Sequence, residues 1–353
     1  MTAIELRIEA FVKLGTFFRE FYEYNDHTSP PIHNNEKWFA SFNEKINLAK
    51  HENGWFTKDN ILFSIRNWGD LLTKDHLQTW LSPYDLKHSQ SKVVALIMAG
   101  NIPLVGFHDF LAALITGKKV LVKLSSNDTM LLPFVSAYLV HIEPSLSNEI
   151  SFVEGKLENF DAVIATGSNN TARYFEYYFG KKPNIIRKNR NSVAVLTGKE
   201  TPEQLEALGE DIFRYYGLGC RSVSKLFVPR EYNFDLFFKA IYPYHSIIDQ
   251  NKYANNYDYN KAVYLMSEFN MLENGFLMLK EDESYASPIA TLFFEYYDTL
   301  EDLKRQLEEN REKLQCVVSE NVLWDEVQFG QTQRPGLTDY ADGMDTVEFL
   351  LKT

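Results

Sequence analysis

The chain holds two cysteines, Cys220 and Cys316, and a thiolate is the strongest nucleophile that a protein offers near neutral pH. Cys220 follows Gly217-Leu218-Gly219 and precedes a strand-like run from Val223 to Val228, so it falls in a helix-to-strand loop whose glycines would let the backbone approach a bound molecule. Cys316 lies inside the apolar run Leu314 to Val318 and reads as a small buried hydrophobe, a reading that an isolated Cys220 also permits. His108, His141 and His245 are all remote in sequence, so no local Cys/His dyad can be assembled. A second set of polar groups directly follows apolar runs: Asn101, Lys123 with Ser125, Gly155, and the triplet Thr166-Gly167-Ser168. In a doubly wound sheet such strand ends are where ligands bind, and the triplet opens a helical stretch whose free N–H groups suit a pyrophosphate. The bland alternatives stand beside these readings: an ordinary strand-to-helix turn at Thr166, a turn-forming asparagine at Asn101, and a solvated strand-end lysine at Lys123.

The elements that carry these residues follow from hydrophobic periodicity. Ile4, Ile8, Phe11, Leu14, Phe18 and Phe21 recur at three- and four-residue steps, which predicts an opening amphipathic helix, ended by the polar stretch Asn25 to Asn35. Further helices are expected between Glu36 and Trp80, one beginning after Thr57, with Trp55, Trp68 and Trp80 as packing anchors. From Lys92 the pattern changes to strands at Val93–Met98, Val120–Val122, Ile150–Val153 and Ala162–Ala165, alternating with helices over 104–116 and 130–141. That alternation predicts a doubly wound, Rossmann-type parallel sheet. A strand at Val193–Leu196 is followed by Thr201-Pro202-Glu203-Gln204, an N-cap with a first-turn proline and a capping-box glutamine, and the helix it starts should run to Gly217. A second α/β stretch with Tyr-rich helices continues to about Val322. The divisions expected are a helical segment over 1–90, a nucleotide-binding lobe over 91–190, a second α/β lobe carrying Cys220 over 191–329, and a return segment over 330–353.

Composition narrows the class. The chain is 353 residues, 45% hydrophobic, with a net charge of -12, which argues against a nucleic-acid partner. No apolar run approaches the roughly 18–20 residues of a membrane span, and Glu5, Arg7 and Glu9 do not suit a signal peptide, so a cytoplasmic protein is expected. Two cysteines in unlike settings suit neither a disulfide framework nor a cysteine-rich metal site, and no metal is expected. A glycine-rich dinucleotide fingerprint of the usual type is missing.

Taken in order, several segments resemble the aldehyde dehydrogenase superfamily. Asn101-Ile102-Pro103 is similar to its strand-end Asn-x-Pro element, Gly117 through Ser125 to its Gly-x-x-Val-x-x-Lys-x-Ser segment, and Thr166-Gly167-Ser168 to its Thr-Gly-Ser turn. Phe213 to Cys220 resembles the Phe-x-Asn-x-Gly-Gln-x-Cys element, keeping Phe213, Gly217 and Cys220 but showing Tyr215 for asparagine and Leu218 for glutamine. The tail, Phe329-Gly330-Gln331-Thr332-Gln333 followed by Asp339 through Thr346 and Phe349-Leu350, is similar to the narrower family of long-chain acyl thioester reductases, the fatty acid reductase component of luminous bacteria.

The resemblance implies Cys220 as covalent nucleophile, and Asn101 with the Cys220 backbone N–H as oxyanion donors. It implies Lys123, Ser125, Thr166, Gly167 and Ser168 as cofactor-binding residues, to which the strand-end position adds Gly155. Hydrolytic relatives carry Glu-Leu-Gly-Gly where this chain has Ile186-Arg187-Lys188-Asn189, so the water-activating glutamate is replaced; the glutamate that holds the nicotinamide ribose would fall near Ser284 and is replaced as well. The expected activity is reduction of a long-chain acyl-CoA or acyl-protein thioester to an aldehyde. NADPH is preferred over NADH because no acidic residue occurs at Ser125-Ser126-Asn127 to repel a 2′-phosphate. Phe107, Phe213, Tyr215 and Tyr216 are candidate walls for the acyl chain. An acyl-protein synthetase partner and a homo-oligomer fit this picture. A coenzyme-A-acylating aldehyde dehydrogenase for short aldehydes, or a non-catalytic acyl-binding scaffold, are the competing readings.

Overall fold

A computed structural model describes residues 2–26, 35–87, 89–323 and 325–353. The chain divides into two compact units, residues 1–188 with 336–353, and residues 189–335.

The first unit opens with helices α1 (Ala3–Asn25), α2 (Glu36–Glu52), α3 (Lys58–Leu71) and α4 (Lys74–Leu81). Thr2 and Glu5 form a capping box on α1, and Thr57 caps α3 through the Asn60 amide. The polar stretch expected after α1 lies largely outside the described residues. There follow β1 (Val93–Ile97), α5 (Phe107–Ile115), β2 (Lys119–Lys123), α6 (Leu131–Ile142), β3 (Ile150–Phe152), β4 (Ala162–Thr166), α7 (Asn169–Phe179) and β5 (Asn184–Arg187).

These five strands form one all-parallel sheet in the order β3-β2-β1-β4-β5. Because successive side chains of a strand point to opposite faces, each strand feeds two cores. Val94, Leu96, Val120, Val122 and Ile164 join α1, α5 and α6 in a large aromatic-rich core, whereas Ala95, Val163 and Ala165 face Phe160, Phe175 and Phe179 on the other side. Both faces are therefore covered, which is why β1 and β4 read as unbroken apolar runs. The strand order reverses between β1 and β4, and their carboxyl ends lead into Asn101 and Gly167.

Trp80 is buried in the large core, with Trp55 and Trp68 packed at its margin. Phe107 is fully buried there, in ring contact with Phe11, Phe18 and Trp68, so this residue is core and not the wall of an acyl channel. The helix over 104–116 begins only at Phe107, since Leu104 adopts a positive φ of 55°.

The second unit runs β6 (Asn191–Val195), α8 (Pro202–Phe213), β7 (Val223–Pro229), α9 (Phe234–Ala240), α10 (Asn251–Met266), β8 (Met271–Glu273), β9 (Met278–Glu281), β10 (Thr291–Tyr297), α11 (Leu300–Glu309) and β11 (Leu314–Val318). Its sheet has the order β11-β6-β7-β10-β9-β8, parallel except where β8 meets β9. The Thr201/Gln204 capping box with Pro202 is present, and Leu205, Leu208 and Ile212 bury one face of α8. The helix ends at Phe213, four residues before Gly217. Tyr215 and Tyr216 take left-handed backbone angles and form a short 3-10 turn instead.

After unit two the chain returns to the first unit, where α12 (Thr346–Lys352) buries Val347 and Leu350 in the aromatic core. No described helix is long and apolar enough to cross a membrane.

Candidate functional site

At the first sheet's carboxyl edge, the N-terminal helices hold the loops that carry the candidate cofactor residues. The buried Asn53 side-chain amide donates to the Gly100 and Asn127 carbonyls, both at 3.3 Å, and Ser64 Oγ donates to the Pro103 carbonyl at 3.1 Å. A Cβ on Gly100 would stand 2.6 Å from Ser125 Oγ, so only glycine lets the loop after β1 pack on the loop after β2. Ser125 Oγ accepts the Asn127 amide at 3.2 Å. Asn101 is exposed between these anchors. Asp128 lies below them, and burial pushes its carboxyl up to about 6 although the Leu131 and Leu104 amides pull it down.

Lys123 and Gly155 are brought together: Lys123 Nζ donates to the Gly155 carbonyl at 2.8 Å, joining the ends of β2 and β3. A Cβ on Gly155 would meet nothing within 4 Å. Thr166 closes β4, in register with Arg187 of β5, and Ser168 caps α7 by accepting the Thr171 amide at 3.3 Å. Lys123, Ser125, Gly155 and the Thr166–Ser168 turn thus all sit at the carboxyl ends of three neighbouring or near-neighbouring strands, β2, β3 and β4, of one sheet.

The stretch Ile186–Asn189 holds no base. Arg187 is buried in an ion pair with Asp109 of α5, Nη2 to Oδ1 at 2.8 Å, and donates to Thr346 Oγ1 of α12 at 3.2 Å. Lys188 pairs with Glu176 at 2.9 Å. The tail motif gains a physical role here as well. Tyr84 donates to Asp345 at 2.6 Å, Trp80 donates to the Tyr340 hydroxyl at 2.8 Å, and His108 Nε2 lies 2.9 Å from the Leu337 carbonyl.

In the second unit, Cys220 is exposed and Cys316 is buried, 4% accessible, within β11. Neither forms a disulfide. The approach to Cys220 is strained: Tyr215, Tyr216 and Gly217 all have positive φ, at 57°, 59° and 75°. For each tyrosine this costs on the order of 1–2 kcal/mol, which the surrounding structure must offset. Ser192 Oγ, wholly buried, donates to the Cys220 carbonyl at 2.9 Å and accepts the Cys316 amide at 3.1 Å. Arg221 donates to the Cys316 sulfur at 3.3 Å. Phe213 stacks on Tyr244 and packs on Phe276, while Tyr216 stands beside Tyr253.

The loop around Ser284 is fastened to β7. Lys225, fully buried and ion-paired with Glu295, donates to the Glu283 carbonyl at 2.8 Å, and Ser224 Oγ donates to the Tyr285 carbonyl at 2.7 Å. Burial lowers the Lys225 pKa, while Glu295 counters that effect. Burial pushes Asp282 upward, but Lys280 and Ser284 outweigh it and bring the carboxyl to about 2.

Sequence reasoning missed three groups. Asp211 accepts from Gly330, Thr332 and the Thr332 hydroxyl; its signal was a carboxylate set among Leu208 and Ile212 on the apolar side of α8. Ser192 and the Asp109–Arg187 pair carried no local signal, since each partner is remote in sequence.

Two parallel sheets of this kind, with a cysteine in the loop entering β7, define an aldehyde dehydrogenase fold. Aldehyde dehydrogenase 21 of Physcomitrella patens, solved with the reaction product succinate, matches with a TM-score of 0.66 at 11% identity, covering 100% of this chain and 84% of that one. The aldehyde dehydrogenase of Bacillus cereus, solved with NAD+, matches with a TM-score of 0.60 at 15% identity, covering 90% and 72%. The profile of the acyl-CoA reductase (LuxC) family matches residues 43–323, and the chain belongs to that family. The long-chain acyl-protein thioester reductase of Aliivibrio fischeri is 25% identical over 264 residues, 67% of this chain; the chain spans 53% of the length of that relative.

Proposed function

We propose that the protein reduces long-chain acyl thioesters, acyl-CoA or acyl-protein, to fatty aldehydes through an acyl-Cys220 intermediate, with NADPH as the preferred reductant. The observation that carries the reading is the contrast between the two thiols: Cys220 is exposed at the end of a strained loop, whereas Cys316 is sealed in a strand.

The Cys220 sulfur forms a bond to the thioester carbonyl carbon as the carbonyl electron pair moves onto oxygen. The Cys220 N–H is assigned as a donor to that oxyanion, and Asn101 keeps the donor role that the resemblance implies; losing one such donor typically costs about 10²–10³ in rate. The pair then returns, the carbon–sulfur bond to coenzyme A or a carrier breaks, and the departing thiolate takes a solvent proton. When bound, the reduced nicotinamide supplies the hydride that turns the acyl group into an aldehyde. Release of the aldehyde breaks the Cys220–carbon bond and returns the thiolate. The stretch Ile186–Asn189, where hydrolytic relatives carry the water-activating glutamate, has no carboxylate, and its Arg187 and Lys188 are ion-paired with Asp109 and Glu176, which suits an acyl-enzyme kept for reduction.

The first unit is assigned as the cofactor lobe and the second as the catalytic lobe. A dinucleotide fits the first sheet's carboxyl edge: an open surface at Gly155, the Lys123 ammonium beside it, and the Ser168-capped start of α7 supply donors and positive charge for phosphates. A cytoplasmic location and a synthetase that delivers acyl groups as protein thioesters belong to the same proposal.

The test mixes the protein with tetradecanoyl-CoA without cofactor and follows the intact mass. A persistent acyl mass on Cys220, discharged by NADPH and missing in Cys220→Ala but present in Cys316→Ala, is expected. Absence of the adduct, or equal loss in both folded variants, overturns the reading. NADPH consumption against acyl-CoA lengths from acetyl upward separates this activity from acylating oxidation of short aldehydes.

A further inference from the structure

The loop carrying Cys220 is pinned at both ends by one short segment. At its start, Asp211 on the last turn of α8 accepts the Gly330 amide at 2.7 Å, the Thr332 amide at 2.9 Å and the Thr332 hydroxyl at 2.8 Å. At its finish, Gln333 Nε2 donates to Ser222 Oγ at 3.3 Å. All four residues other than Gly330 are buried side chains, and Asp211 has no accessible surface. Gly330 has a φ of 77°, and a Cβ on it would stand 3.2 Å from that of Ala207, so the segment is pressed directly onto α8. Between the two anchor points lie Tyr215 and Tyr216 in left-handed geometry.

Non-glycine residues hold such angles only where their surroundings over-determine them. Between Asp211 and Ser222 the backbone has two left-handed tyrosines to relax, and relaxation would displace Cys220. An acceptor that gathers three donors from Gly330 and Thr332 fixes where α8 stops and where the strained turn begins. We propose that Asp211, through Thr332, is a positioning residue for Cys220, holding the Arg214–Ser222 loop in the geometry that presents the thiol. This rests on Cys220 being the nucleophile.

The variants are Asp211→Asn, which turns an amide N–H toward N–H donors, Thr332→Val, which deletes only the hydroxyl, and Thr332→Ser, which restores it. The readouts are the rate of acyl-adduct formation on Cys220 with tetradecanoyl-CoA, kcat and KM for NADPH, and Tm. Acylation is expected to fall about tenfold or more in Asp211→Asn and by a smaller factor in Thr332→Val, with KM for NADPH unchanged, and to recover in Thr332→Ser. Thr332→Val keeps the inference testable if Asp211→Asn does not fold. Acylation at the native rate in folded Asp211→Asn or Thr332→Val, or a serine variant as slow as the valine one, overturns it. A native protein that forms no adduct on Cys220 overturns the nucleophile assignment itself, and so the two failures are told apart.

Discussion

The Ser192 hydroxyl stands between the Cys220 carbonyl, to which it donates at 2.9 Å, and the Cys316 amide, from which it accepts at 3.1 Å. One buried hydroxyl therefore ties the exposed cysteine's peptide to the strand that hides the other. Ser192→Ala leaves a carbonyl and an amide without it, at a cost of about 1–3 kcal/mol. Chemical denaturation should show that loss, and the acylation rate of Cys220 should drop with it. Native stability in the variant would show that the hydroxyl carries neither role.

Arg187 and Asp109 form a buried ion pair that also reaches Thr346 on α12. Removing one partner of such a pair strands the other, so Arg187→Met should cost about 3–5 kcal/mol in urea unfolding. The double variant Arg187→Met, Asp109→Leu should recover a large part of it. A loss below about 1 kcal/mol in the single variant would contradict the pairing.

Asp128 has its carboxyl pushed from 3.8 to about 6, first by burial and further by Glu52, against the Leu131 and Leu104 amides. The folded state thus holds this proton more tightly than the unfolded chain. The contribution to stability is fully present below about pH 4 and is lost as pH rises through about 6, up to on the order of 3 kcal/mol. Asp128→Asn removes that dependence, so its Tm relative to the native protein should climb between pH 4 and pH 7. Asp211, raised to about 6 as well, is common to both proteins and cancels in the difference. A difference in Tm that does not vary with pH would rule this out.

Glu154 precedes Gly155, whose carbonyl holds Lys123, and is exposed. On the cofactor site proposed above, a carboxylate there would oppose the extra phosphate of NADPH. Glu154→Gln should raise the NADPH-to-NADH ratio of kcat/KM by about fivefold without changing Tm. An unchanged ratio would place the adenosine ribose away from this residue.

Much of this architecture could be read beforehand, for physical reasons that differ by element. Strands β1, β2, β4 and β11 are apolar because both faces of their sheets are covered, and the capping groups of α3 and α8 announce where those helices begin. By contrast β5 escaped notice: it is an edge strand, Asn184-Ile185-Ile186-Arg187, whose last residue is charged because its partner is a buried carboxylate from α5. The early end of α8 was equally hidden, since tyrosine gives no sign of a left-handed backbone. At the site, Lys123 and Gly155 were each legible as strand ends, but their contact was not, because it depends on β2 and β3 lying side by side. The motif Phe329 to Gln333 was recognisable as a resemblance, and its purpose emerged only with Asp211 and Ser222 in place.

The return of residues 336–353 to the first unit makes its folding order differ from its order of synthesis. A ribosome delivers α5, with Asp109, long before it delivers Thr346, Val347 and Leu350. Until then the apolar surface that α12 covers and the guanidinium partnered by Thr346 wait on residues not yet made. A nascent chain halted after the second unit would carry a sticky, unfinished first unit, and it is there that chaperones should engage it.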